Sequence, residues 1–111
     1  MLGARTLPVL PTVPNLSLAD LFAGNEISEK WYEAKKKRDA AICELIRSCR
    51  AAQFQDPKNE ERMYIVSPGI RGKLYSLSFF DEYGAVGDWQ RDNPEEFVRE
   101  IPSDYILVDM E

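Results

Sequence analysis

The chain has 111 residues, with 14 basic and 19 acidic side chains and a net charge of −5. This length suits one domain, and a 44% hydrophobic content that includes 5 Phe, 5 Tyr and 2 Trp residues can supply its core. The chain has no histidine, which excludes Ser-His-Asp and Cys-His catalytic triads, imidazole metal ligands and histidine pH switches. Composition therefore indicates a soluble, mildly acidic, single-domain protein.

An extended arm is predicted for residues 1–16, in which Pro8, Pro11 and Pro14 follow one another at three-residue spacing, and a single α+β domain is predicted for residues 17–111. This spacing matches the turn of a polyproline II helix and disfavours an α-helix or a central strand. The apolar residues of the arm predict that it lies along its own domain or along a partner. Arg5, Pro8 and Pro11 also fit the basic-PxxP pattern that aromatic-lined grooves recognise, which leaves groove binding as the alternative.

The prolines of the arm and the two cysteines also indicate in which cellular compartment the protein is expected. They interrupt the apolar residues of the first 24 positions, so that no continuous signal-peptide core or membrane span is predicted there. Cys43 and Cys49 are six positions apart in one predicted helix, point to different faces and lack CxxC spacing. We expect two reduced thiols and a cytoplasmic protein.

Two helices are predicted next. A short one begins at Ser17 and ends at Gly24, and a long one runs from Asn25 or Ser28 to about Phe54, because neither Gly nor Pro interrupts it. The long helix would be about 42 Å long and would extend beyond the body of so small a domain. Its stripe is apolar except at one arginine and contains Ile27, Trp31, Ala34, Arg38, Ala41, Ile42, Leu45, Ile46, Cys49 and Ala52.

The second half of the chain alternates with a period of two. Strands are predicted at 62–66, 73–80, 85–91 and 105–108, and an Asn93 cap predicts a short second helix that ends before Pro102. The expected fold is α+β, with a small antiparallel sheet of three to four strands packed against the long helix. The side chains expected to face the core are Tyr75, Leu77, Phe79, Val86 and Trp89. The segment 75–91 with its capped helix resembles small proteins of bacterial or phage origin, without indicating a particular family.

No catalytic constellation is found. The acids Asp81, Glu82, Asp88 and Asp92 lack the spacing of a calcium-binding loop, and the 69–72 loop lacks the pattern of a phosphate-binding loop. The sequence therefore predicts a protein that is not an enzyme and that uses no metal or cofactor.

The long helix contains one run of four basic residues, 35–38. Consecutive residues of a helix point in different directions, so these four surround the helix and do not form one face. The run predicts nucleic-acid binding as an alternative function, with phosphate contacts from Lys35, Lys36, Lys37, Arg38, Arg47 and Arg50.

The charge is divided unevenly along the chain. Residues 1–80 hold 12 basic and 9 acidic side chains, whereas residues 81–111 hold 2 basic and 10 acidic ones. An acidic surface of this kind can bind a basic partner or imitate DNA, as a DNA-mimic inhibitor does. The candidate residues are Asp81, Glu82, Asp88, Asp92, Glu95, Glu96 and Glu100.

The favoured function is a small regulatory or protein–protein interaction module that associates with itself, most simply as a homodimer, or with another protein. The long helix carries more apolar surface than a small sheet can cover. The residues expected at the contact are Trp31, Ile42, Leu45 and Ile46. No membrane partner is expected.

Overall fold

The computed structural model describes residues 7–14 and 25–111, and for residues 25–28 it describes the backbone alone. The short helix predicted to begin at Ser17 lies outside the described residues. The described elements are the helix α1 (Asn25–Ser48), the strands β1 (Ala52–Asp56), β2 (Asn59–Pro68), β3 (Tyr75–Asp81), β4 (Gly84–Arg91) and β5 (Ile106–Met110), and two 3-10 helices (Pro94–Glu96 and Val98–Glu100).

The strands form one antiparallel sheet in the order β4-β3-β2-β1-β5. The α+β class is confirmed, but the sheet has five strands instead of three to four. The missed strand is β1, which lies between β2 and β5.

The long helix ends earlier than predicted. It ends at Ser48, and Phe54, its predicted last residue, lies in the middle of β1. Ala51 and Arg50 both form backbone hydrogen bonds with Glu111, directly after β5. The residues after Ser48 have no sequence feature that forbids a helix. Their pairing with the end of the chain, which is distant in sequence, determines that they begin a strand.

The predicted meander is confirmed, since β2, β3 and β4 pair as successive antiparallel neighbours. Its β3–β4 turn uses Gly84 at a φ of 107°, a left-handed conformation that favours glycine. The short second helix is instead a pair of 3-10 helices. It begins as predicted, with Pro94 in the first turn and a capping box between Asn93 and Glu96.

One hydrophobic core cluster contains buried side chains of α1, β1, β2, β3 and the 3-10 segment. Leu77 is fully buried in it, and Tyr75 and Trp89 pack against it, as predicted. Val86 is 58% exposed, so its predicted inward position is wrong. The β3–β4 register shifts beside it, between Phe79 and Phe80, and this irregularity changes the alternation of the strand. Other buried members of the cluster are Ile42, Cys43, Leu45, Ile46, Ala52, Phe54, Val66, Phe97, Val98, Ile101 and Tyr105.

The described part of the arm lies against its own domain. Leu10 packs on the core cluster, and the carbonyl of Pro11 accepts a hydrogen bond from Arg38 of α1 at 2.9 Å. Val9, between Pro8 and Leu10, is 96% exposed. Within the described residues, no helix is long and apolar enough to cross a membrane.

Candidate interaction surface

The six basic residues of the predicted nucleic-acid contact do not form one surface. Arg38 is 5% exposed and donates to two backbone carbonyls, so it does not lie on the outer surface that the other basic residues share. Lys35 forms an ion pair with Asp39 at 2.7 Å. Arg47 pairs with Glu95. The remaining three residues, Lys36, Lys37 and Arg50, are exposed.

The predicted acidic surface is partly neutralised by basic neighbours. Glu82 binds Arg62 at 3.3 Å, and Asp92 binds Lys73 at 3.4 Å. The hydrogen bond from Arg62 holds the pKa of Glu82 below its usual value, and Arg47 does the same for Glu95.

Other members of the acidic set bind within the chain. Asp81 accepts the backbone amide of Tyr83 at 2.8 Å, and Glu96 accepts that of Asn93 at 3.4 Å. Glu100 is exposed on the second 3-10 helix. The acids are thus distributed over the β3–β4 turn, β4 and the 3-10 helices.

Three of the four residues of the predicted oligomer contact lie in the core cluster. Ile42, Leu45 and Ile46 are between 1% and 7% exposed within a single chain. In the single chain these three side chains pack in the core cluster. Trp31 is half-buried and packs edge-to-face on the exposed Tyr32, with ring centroids 5.3 Å apart.

A polar cluster joins β3 to β4. The Ser76 hydroxyl donates to the Asp88 carboxylate at 2.7 Å, and the Gln90 amide nitrogen donates to both side chains. The backbone amide of Ile70 completes the cluster by donating to the Gln90 side-chain oxygen at 2.9 Å. The polar groups of this cluster satisfy one another's hydrogen-bonding capacity, which is typical of a structural network.

Cys43 is buried in α1, at one side of an open groove of about 840 Å³ between the helix and the 3-10 segment. Burial raises the pKa of its thiol to about 11, so the thiol is protonated at neutral pH and is a poor nucleophile. Cys49 is half-buried, and neither cysteine forms a disulfide. Among the described residues, no group of three Cys, Asp or Glu side chains could hold a metal ion.

The two faces of the sheet differ in what covers them. The face that carries Ala52, Phe54, Val66 and Leu77 contributes to the core. Side chains alternate between faces along a strand, and the strand register therefore defines the residues of the opposite face. We call this opposite side the open face. It contains Gln53, Gln55, Met63, Ile65, Ser67, Ser76, Ser78, Phe80, Ala85, Asp88, Gln90, Ile106 and Asp109.

The open face has an apolar centre and a polar periphery. Met63 and Ile65 of β2 lie next to Phe80 of β3, and all three are half-buried. Asp88 and Asp109 lie on the outermost strands, β4 and β5. None of the residues that the register assigns to the open face is basic. The sequence contained the alternation but not the strand order that brings these residues together.

Comparison of the chain with protein-family models, with curated proteins and with solved structures gives no match.

Proposed function

We propose that the protein is a small, non-enzymatic protein–protein interaction module that associates with a second copy of itself through the open face. One observation carries the proposal: the half-buried Met63, Ile65 and Phe80 lie together at the centre of a sheet face outside the core cluster. An apolar centre surrounded by polar groups is the usual composition of a protein interface.

The dimensions of the open face suit a weak dimer. Five strands spaced about 4.8 Å apart give a width of about 24 Å, and a strand of six or seven residues is about 20 Å long. The flat area is then about 500 Å² per copy, which is below the roughly 800 Å² per partner of a standard stable complex. We therefore expect association at micromolar concentrations or above, and rapid dissociation.

Charge gives this self-association a distinctive salt dependence. A two-fold contact brings the centres of the two open faces together and leaves Asp88 and Asp109 near the periphery of both copies. These carboxylates repel one another, and salt screens the repulsion. Dimerisation should therefore strengthen with added salt, whereas binding of a nucleic acid or of a basic protein weakens with it.

The test is the mass of the protein in solution, measured by sedimentation or light scattering across a concentration series at low and high salt. We expect a monomer–dimer equilibrium that shifts toward the dimer as salt is added. Phe80→Asp and Ile65→Asp should each give a monomer, because they place a charge in the apolar centre. Tyr32→Asp is the matched control, since it adds the same charge at an exposed aromatic residue of α1.

Circular dichroism of each variant establishes that it is folded before its mass is interpreted. A wild-type protein that stays monomeric at the highest concentration in both salts contradicts the proposal. So does a dimer that Tyr32→Asp dissociates and Phe80→Asp leaves intact, because that result assigns the contact to α1.

A further inference from the structure

Arg38 is the one charged residue in the buried class of the described chain. It lies on the same face of α1 as Ile42 and Leu45, one and two helical turns further on. Removing a guanidinium from water is costly unless an anion compensates its charge. A buried arginine in an apolar stripe therefore needs an explanation.

No carboxylate of the described residues forms an ion pair with Arg38. Asp39, its sequence neighbour, binds Lys35 instead, and Asp104 acts on Arg38 only at a distance. Burial has the larger effect and lowers the pKa of Arg38. Its direct partners are carbonyl oxygens, which carry partial rather than full charges.

The guanidinium also keeps hydrogen-bonding capacity. Its Nη1 donates to the carbonyl of Pro11 at 2.9 Å, and its Nη2 donates to the carbonyl of Tyr105. Its Nε is buried and has no hydrogen-bond acceptor among the residues that the structure describes. A guanidinium has five N–H groups in a planar fork, and two neighbouring N–H groups bind the two oxygens of a carboxylate.

A cavity of about 190 Å³ adjoins this arginine, between the arm and β5. It is open to solvent on one side and is large enough for a small organic molecule. The walls offer one cation, one hydroxyl and otherwise apolar side chains. The lining residues are Pro8, Leu10, Thr12, Arg38, Ile106 and Leu107.

We propose that this cavity binds a short-chain monocarboxylate, whose charged end is held by Arg38 and whose alkyl chain packs on the apolar wall. Butyrate, with a charged end and a short alkyl chain, is a suitable probe of this chemistry. The same carboxylate chemistry is found in a free organic acid and at the C-terminus of a peptide. The cavity shares Ile106 of β5 with the open face, but Phe80 of β3 does not line it, so that Phe80→Asp should leave carboxylate binding unchanged.

The test is a titration of the isotope-labelled full chain with butyrate, followed by NMR of the Arg38 Nε–H and of the Leu10, Thr12 and Leu107 amides. We expect saturable shifts that sodium chloride does not reproduce. Butyramide has the same shape without the charge, and it should bind at least tenfold more weakly. Arg38→Lys keeps the charge but loses the fork, and it should weaken butyrate binding by about tenfold. Arg50→Lys, at an exposed arginine, is the matched control.

A second pair of probes distinguishes the two sources of the carboxylate. A short peptide ending in valine with a free carboxylate, compared with its amidated form, identifies a chain terminus as a ligand if only the free form binds. If butyrate alone binds, the ligand is a free acid. If Arg38→Lys fails to fold, the response of the wild-type Arg38 Nε–H signal to butyrate tests whether Arg38 binds the carboxylate. The proposal is overturned if that signal does not move with butyrate, or if butyramide binds as tightly.

Discussion

Gly69 begins the loop between β2 and β3, where the backbone folds closely on itself. Its amide donates to the carbonyl of Leu74 at 3.1 Å. A Cβ at this position would lie 2.7 Å from the carbonyl carbon of Lys73 and 2.9 Å from the amide nitrogen of Tyr75. Because both are backbone atoms, neither can rotate away, and the loop itself would have to move.

We therefore expect Gly69→Ala to lower the free energy of unfolding by about 1–3 kcal/mol, as overpacking does. Gly87→Ala is the control, since its Cβ meets the Trp89 side chain at an ordinary distance of 3.6 Å. It should change stability by no more than about 0.5 kcal/mol. Urea unfolding measures both variants, and equal losses would show that the close approach at Gly69 is not the cause.

Arg38 shows what periodicity can and cannot predict for a residue. The helical spacing correctly placed it on the apolar stripe, but its positive charge also made it a candidate phosphate contact. Its hydrogen-bond partners, Pro11 and Tyr105, are 27 and 67 residues away in the chain. Only the tertiary fold determines which of the two interpretations applies.

The boundary between α1 and β1 was the main error in predicting an element. Residues 49–54 contain neither Gly nor Pro, and they continue the helical stripe through Cys49 and Ala52. The same residues also have the period of a strand, because Ala52 and Phe54 are buried and Gln53 lies between them. Short segments that fit both periods are decided by their neighbours, which here are β2 and β5.

Phe54 tests the assignment of β1 as an inner strand. It is fully buried and pairs with Tyr64 on one side and Leu107 on the other. Phe54→Ala should cost about 3–5 kcal/mol of unfolding free energy, because it leaves a cavity in the core. Gln55→Ala, one residue later on the open face, should change stability by about 0.5 kcal/mol or less. Chemical denaturation separates the two, and a small effect at Phe54 would contradict its place in the core.

For the molecule as a whole, the sequence predicted the class, the meander and many of the core residues, but not the surface that we propose for binding. The open face combines residues from all five strands, so it could not be derived while β1 was assigned to a helix. The predicted contact on α1 depends on a related ambiguity. A stripe of Ile42, Leu45 and Ile46 looks the same whether it covers its own sheet or another chain.

The arm provides a test at the scale of the whole molecule, because two adjacent residues of this segment have opposite environments. Leu10 packs on the core cluster, whereas Val9 is 96% exposed. Leu10→Asp places a charge against apolar side chains and should lower the melting temperature by about 5 °C or more. Val9→Asp adds the same charge in solvent and should leave the melting temperature nearly unchanged. Thermal unfolding gives both values, and equal shifts would show that the arm does not contribute to stability through packing.

The place of β5 beside β1 has a consequence for the order of folding. The meander closes through short local turns, whereas the pairing of Ala52 with Met110 joins the two ends of the sheet in the chain. Closing that long loop costs more entropy than closing a hairpin. The β2–β3–β4 meander should therefore form early and β5 dock late. Until β5 docks, the edge of β1 is unprotected, and it is during this interval that the chain is most prone to aggregate.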